Sequence, residues 1–349
     1  MKTAAALRLE RMPGIISLDA IAEMIRRCQQ PNGEIPWSTG DKTDPWDHVE
    51  SAMGLCIAGD IDGAAKAYQW MKKSQLAQGA WYAAYRNGTP EDRTLDANMS
   101  SYIAVGLYHY HLCTGDRELL EDMWPTVMSA MAFTLSLQAP TGEIYWAISP
   151  QGEVDRTALL TGSSSIYMSL KCAAAIAQVL GRPQPQWISA AEILAAAIRY
   201  GQHRFDRSKA RFSMDWFYPV LAGAVTGEAA SRRIDAHWSK FVIDGKGVRC
   251  VSDQPWITIA ETAELCLTLS AMGDHRRAER VFDWMIAHRY DDGTYWCGFT
   301  VPDGTIWPVE RVTWTNAVVL MAADALYGLT PAGGMFRHDT WNRKTHSPR

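Results

Sequence analysis

A chain of 349 residues with 47% apolar and 21% charged side chains is ordinary globular material, enough for one large domain or two smaller ones. Its 34 Lys plus Arg against 38 Asp plus Glu leave a net charge of -4, which excludes a basic nucleic-acid footprint and a polybasic membrane-binding segment. No uncharged apolar run approaches the roughly 18 residues of a membrane span, and residues 1–14 carry charges where a secretory leader needs its apolar stretch. A cytoplasmic protein is expected. The seven cysteines are scattered without metal spacing and read as reduced thiols, so no metal or cofactor is implied.

In chain order, two kinds of helical pattern alternate. Leu18–Cys28 is amphipathic and Asp47–Ala58 apolar; Ile61–Lys73 is amphipathic and Ala97–Cys113 apolar. The alternation continues through Leu119–Leu137 and Gly162–Gln178, Ala190–Phe205 and Trp216–Val225, Ala229–Phe241 and Trp256–Met272, then Arg276–His288 and Thr313–Tyr327. A helix apolar on all sides must be buried, and one with a charged face must lie outside. Six such pairs predict an all-α fold, an (α/α)6 toroid of twelve helices over residues 1–330 as a single domain. Residues 331–349 are expected to be a loose polar tail.

The junctions repeat as well. QQPNGEIPW (29–37), QLAQGAWYAAY (75–85), QAPTGEIYW (138–146) and RYDDGTYW (289–296) each place a Gly turn before an aromatic. All four fall where an outer helix hands over to an inner one, so they crowd one mouth of the toroid. The composition holds 15 Trp against only 8 Phe, and many of the Trp fall at these junctions. Flat rings at a mouth suit the C–H faces of sugars, although a ring can equally staple a turn. Trp146 and Trp296 read more as staples, and Trp70, Trp238 and Trp284 as packing.

Glycine-aromatic turns between alternating helices resemble the prenyltransferase and terpene-cyclase toroids. Their chemistry is missing: the chain has no Asp-x-Asp-Asp motif, and no Asp-x-Cys pair with a suitable His for zinc. Within the glycosidase toroids, residues 15–330 resemble the actinobacterial methylmannose polysaccharide hydrolases, chiefly through Asp44-Pro-Trp-Asp-His-Val-Glu50 and Asp253-Gln-Pro-Trp-Ile-Thr-Ile-Ala-Glu261. The resemblance implies endo-acting cleavage of α-linked, partly O-methylated mannan, with the polysaccharide as partner. It does not fix an oligomeric state.

Glycoside hydrolysis needs two carboxyl groups across the scissile bond. Acids fall repeatedly near the starts of the inner helices: Asp44, Asp47, Glu50, Asp92, Asp96, Asp155, Asp215, Asp253, Glu261 and Glu310. Asp47 follows an Asp-Pro-Trp helix start and is either a catalytic acid or a capping-box partner. Glu261 sits on an otherwise apolar helix that Asp253 would cap and Pro255 would open. It is either catalytic or paired with an Arg such as Arg311, a role that suits the deeper Glu264 better. By resemblance the catalytic pair is carried onto Asp47 and Glu261. The helix dipole suits Asp47 to the anionic base and burial suits Glu261 to the acid, with the exchange left open. Trp37, Trp46, His48, Glu50, Trp81, Asp96, Trp216, Trp256, Trp307 and Trp314 are the expected substrate contacts. Inversion is favoured because the acids come from separate helices. The alternatives are an isoprenoid-binding or cyclase toroid, a polysaccharide lyase using Tyr218, His48 and Arg311, and a non-catalytic sugar-binding toroid.

Overall fold

The computed structural model describes residues 16–342. The charged segment 1–14 and the tail from 343 onward lie outside them. In chain order the helices are α1 (Leu18–Cys28), α2 (Pro45–Ile57), α3 (Ile61–Ser74), α4 (Ala97–Ser101), α5 (Ile103–Thr114), α6 (Glu118–Ser136) and α7 (Leu160–Leu180). They continue as α8 (Pro185–Tyr200), α9 (Ser213–Leu221), α10 (Gly227–Phe241), α11 (Ile259–Ala271), α12 (His275–Ile286), α13 (Thr313–Tyr327) and α14 (His338–Asn342). The fold is the all-α (α/α)6 toroid. Packing runs α2 on α5, α5 on α7, α7 on α9, α9 on α11 and α11 on α13, and α13 returns to α2 to close the inner ring. Burial separates the two rings: α11 buries all thirteen of its residues, whereas α10, outside, buries Ala230, Ile234 and Phe241 alone.

The repeated turns are the device that spaces the rings. Gly33, Gly79, Gly142 and Gly293 have φ of 99°, 93°, 105° and 86°, a left-handed conformation that favours glycine. In the first three, the Gln four residues earlier donates through Nε2 to the carbonyl of that glycine. The same amide group bonds a second carbonyl on the following outer helix: Gly63 on α3, Thr126 on α6 and Ala190 on α8. The fourth turn lies against Ser17 and Ala20, beside and on α1, and so closes the outer ring.

Two expectations are corrected, and short strands are added to the helices. Among the described residues the mouth carries nine short strands, β1 (Ala84–Arg86), β2 (Thr89–Asp92), β3 (Leu95–Asp96), β4 (Tyr145–Ile148), β5 (Val154–Ala158), β6 (Val242–Ile243), β7 (Gly247–Arg249), β8 (Trp256–Thr258) and β9 (Gly298–Thr300). They pair antiparallel as β1-β2, β3-β4-β5 and β6-β7-β8-β9, in runs too short to show alternation. Helix α11 therefore begins at Ile259, and Asp253 does not cap it but pairs with Arg211 at 2.6 Å in an exposed turn. Residues 331–342 are not loose. Ala332 and Met335 are buried, and Trp341 packs on Tyr108 under Lys171 and donates to the Met335 carbonyl. Among the described residues no helix is long and apolar enough to cross a membrane.

Candidate active site

The inner helices α2 and α11 start at the mouth, and the third residue of each first turn is an acid. On α2 that residue is Asp47; on α11 it is Glu261. One turn deeper, at i+3, stand Glu50 and Glu264. The two helices are separated in the ring by α13 alone. The result is a pair of two-step carboxyl ladders, near enough that the charge of Glu50 acts on Glu264 across the barrel.

Asp44 caps α2 by accepting from the Asp47 N–H at 2.9 Å, and its second oxygen accepts from Trp37 Nε1 at 2.6 Å. Asp47 is half-buried at the mouth. Burial, then the charges of Asp44 and Glu50, hold its carboxyl well above the usual range. These act against the helix dipole, which favours the anion, and so lean toward the exchanged assignment in which Asp47 carries the proton. Below it Glu50 is 3% exposed and accepts from Trp46 Nε1 at 2.9 Å and the Tyr102 hydroxyl at 3.2 Å. Burial nevertheless pushes it up to about 8. Glu264 is raised by burial and then by the charges of Glu50 and Glu261.

Glu261 is 7% exposed and its Oε2 is a buried oxygen with no protein partner. Its charge helps hold the Cys250 and Cys297 thiols protonated, after burial itself. The salt bridge to Arg311 does not form: Arg311 pairs with Asp292 at 2.6 Å. A buried carboxyl oxygen without a partner is a costly arrangement for packing and a useful one for a ligand.

Two aromatic pairs stand over the same sector. Trp37 and Trp314 meet at 6.2 Å beside the starts of α2 and α13, and Lys42 lies 4.1 Å over the Trp37 ring. Trp256, in β8 rather than a helix, donates to the Trp307 carbonyl and meets that ring edge-on at 5.2 Å; Trp307 is 58% exposed. To the other side of α2, Trp46, Asp96, Asn98, Trp146, Thr161 and Ser163 line a cavity of about 130 Å³. Asp96 both caps α4, accepting from Met99 at 2.9 Å, and faces this cavity, where burial pushes it up to about 6. Trp146, expected to be a staple, faces it too.

No protein-family model matches the chain. It is 47% identical over 329 residues to the MMP endo-(1,4)-3-O-methyl-α-D-mannosidase of Mycolicibacterium hassiacum, a match spanning 93% of this chain and 91% of that protein. The chain belongs to the MMP endo-mannosidase family. Among solved structures, a wild-type glycosidase superposes with a TM-score of 0.71 at 16% identity, over 95% of this chain and all of that one. A D-mannose isomerase superposes at 0.68 and 13% identity, over 89% and 98%. These two likenesses establish the toroid and leave the chemistry to the site.

In this member of the mannosidase family, three expected contacts are buried. His48 is fully buried: Nδ1 accepts from the Ile35 N–H and Nε2 donates to the Ala67 carbonyl, each at 3.0 Å, and burial lowers its pKa to about 4. Trp81 is fully buried with its Nε1 on the Met71 carbonyl. Trp216 is 2% exposed, stacked on Phe241 at 5.2 Å and bonded to the Arg233 carbonyl. Their apolar bulk serves the repeat packing. Asp215 is the third residue of α9, a place equivalent to Asp47, yet it is spent on Thr161, accepting from N at 3.2 Å and Oγ1 at 2.7 Å. Tyr102 and Tyr218 were not singled out as a pair; both pack on Trp46 between the ladders, and burial raises both hydroxyls well above the ordinary tyrosine value. Aromatic residues on otherwise small-residue inner helices were the available signal.

Proposed function

We propose that the protein hydrolyses internal α-(1,4) bonds of a 3-O-methylmannose polysaccharide, with Asp47 and Glu261 as the carboxyl pair. The observation that carries this reading is the coincidence, in one sector of the mouth, of two first-turn acids and two tryptophan pairs in a chain of this mannosidase family. Methylated hydroxyls enlarge the apolar faces of the sugar, which Trp37, Trp314, Trp256 and Trp307 are placed to cover. Trp46, Glu50 and Asp96 complete the contacts toward the 130 Å³ cavity. The ring of residues 16–330 acts as one catalytic unit in this proposal. A cytoplasmic site of action belongs to it as well, supported by seven free cysteines.

Burial, then the charges of Asp44 and Glu50, favour Asp47 as the proton donor. Asp47 protonates the glycosidic oxygen as its bond to the anomeric carbon breaks. Glu261, with Oε2 free of protein partners, takes a proton from the water that attacks the opposite face. The product anomer is inverted.

The test is incubation with methylated and unmethylated α-mannan oligosaccharides, with product analysis by mass spectrometry and the new anomer read by proton NMR. Cleavage of the methylated substrate with inversion is expected. Asp47→Asn and Glu261→Gln should each lower kcat by about 10²–10⁴ with substrate binding retained. Failure to cleave either substrate overturns the activity; full activity in both variants overturns the site; a retained anomer overturns the roles.

A further inference from the structure

The end of the toroid opposite the mouth holds a second cluster of chemistry-bearing side chains. Cys56 ends α2, while His109 and Cys113 lie one turn apart near the end of α5, the helix α2 packs against. Their donor atoms all lie within 4.8 Å of one another. Cys56 and His109 are 2% and 3% exposed, and Cys113 is half-buried. Cys56 is nine residues past Asp47 on one helix, about 13 Å along its axis, so the cluster is separate from the carboxyl ladders.

We propose that Cys56, His109 and Cys113 form a binding site for a thiophilic divalent metal ion of the zinc type. The donor set is two sulfurs and an imidazole, which such an ion prefers to oxygen. A tetrahedral ion with Zn–S of about 2.3 Å and Zn–N of about 2.0 Å sets its donors roughly 3.5–3.8 Å apart, which the cluster reaches by sub-ångström shifts and a ring rotation. Cys113 Sγ already lies 3.8 Å from His109 Nδ1 and 3.9 Å from Nε2.

The surroundings supply an outer shell. Thr330 Oγ1 lies 3.5 Å from Cys113 Sγ and donates to Asp324 Oδ2 at 2.6 Å, while the Thr330 N–H donates to Oδ1 at 2.6 Å. Asp324, on α13, is 2% exposed and places a carboxyl near both the thiols and His109. That arrangement orients donors and offsets cationic charge. Half-buried Cys113 leaves a path for the ion and a fourth position for water. A metal here would clip α2 to α5, with α13 and the segment after it in the outer shell.

Cobalt(II) titration of the reduced, chelator-treated full-length protein provides the test. We expect one equivalent bound, with a thiolate-to-cobalt charge-transfer band and the intense visible bands of tetrahedral cobalt, displaced by zinc. Cys113→Ser should weaken binding by roughly 100-fold or more, beyond what outer-shell changes usually do. Zinc should raise the thermal midpoint of the wild type and not of that variant. If Cys113→Ser does not fold, Cys56→Ala and His109→Gln give the same comparison. The proposal is overturned by a reduced wild type without a thiolate–cobalt band, or by a band unchanged in Cys113→Ser. A Cys56–Cys113 disulfide in non-reducing mass spectrometry of the native protein also overturns it.

Discussion

Glu50 is a carboxylic acid kept protonated at neutral pH because two hydrogen-bond donors, Trp46 and Tyr102, do not compensate its removal from water. The ordinary value is 4.5 and the folded one about 8, so between them the unfolded chain releases a proton that the folded chain keeps. The stability this protonated group contributes is complete below about 4.5 and lost as the pH rises through 8. His48 acts in the opposite sense below its ordinary 6.5: its folded value of about 4 means that acid favours the unfolded chain. The two effects separate above pH 6.5. Between about pH 6.5 and 8, Glu50→Gln, which imitates the protonated acid, should remove roughly 1.4 kcal/mol per pH unit from the decline of unfolding free energy. Urea unfolding at closely spaced pH values measures this, and parallel slopes for wild type and variant would refute a protonated Glu50. At Asp47 burial, then the charges of neighbouring acids, raises the carboxyl as well, which places the loss of enzyme activity on the alkaline side. As pH rises the proton donor empties, and the alkaline limb of kcat/KM should shift to lower pH when Asp44→Asn, which keeps a capping side chain, relieves the repulsion on Asp47.

At the scale of one element, the glycine turns are graded by what a side chain would meet. A Cβ at Gly79 would lie 2.2 Å from the Ser129 carbonyl oxygen on α6, whereas at Gly293 the nearest atom is the Ala20 Cβ at 3.5 Å. Both carry positive φ, so each Gly→Ala change pays the left-handed penalty of about 1–2 kcal/mol, and Gly79→Ala adds a backbone collision. Gly79→Ala should therefore destabilise by about 3 kcal/mol or more and Gly293→Ala by about 1–2. Gln75→Ala, losing bonds to the Gly79 and Thr126 carbonyls, should fall between at about 1–3. Equal thermal shifts for the two glycines would contradict the docking account. These turns also show what a sequence can disclose. Gln-x-x-x-Gly spacing is local, so the repeat, the alternation of helices and hence the mouth were legible. The start of α11 was not, because Trp256–Thr258 is as apolar as the helix behind it and goes instead to β8. Glu261 kept its place on a first turn regardless. The burial of His48, Trp81 and Trp216 was hidden because a junction residue faces inward or outward according to partners far away in the chain.

On the scale of the whole molecule, closure joins the first inner helix to the last. Gly54 of α2 and Ala317 of α13 meet although they stand 263 positions apart in the sequence. An added Cβ at Gly54 would lie 2.6 Å from the Ala317 Cβ and 2.9 Å from its Cα, so the contact requires glycine for closeness, not for its backbone angle. Sequence alone could not show this, nor the Tyr102–Tyr218 and Cys56–His109 juxtapositions, since each depends on how inner helices face one another in the ring. Gly162 on α7 makes the control: a Cβ there would sit 3.6 Å from the Asn98 Cβ, an ordinary contact. Helix propensity alone favours Ala over Gly by about 1 kcal/mol at either position. Gly162→Ala should therefore be neutral or stabilising, while overpacking in Gly54→Ala should outweigh the propensity gain and destabilise by about 1–3 kcal/mol. Because α2 carries Asp47 and α13 begins beside Trp314, forcing these helices apart also moves the acid relative to the aromatic pair. The activity of Gly54→Ala should fall even where it remains folded. Far-UV circular dichroism and tryptophan fluorescence should follow one coincident unfolding curve in both variants, since a closed ring has no free end from which to open. Separate curves for Gly54→Ala would show that the seam between α2 and α13 opens on its own, and that the ring is not one cooperative unit.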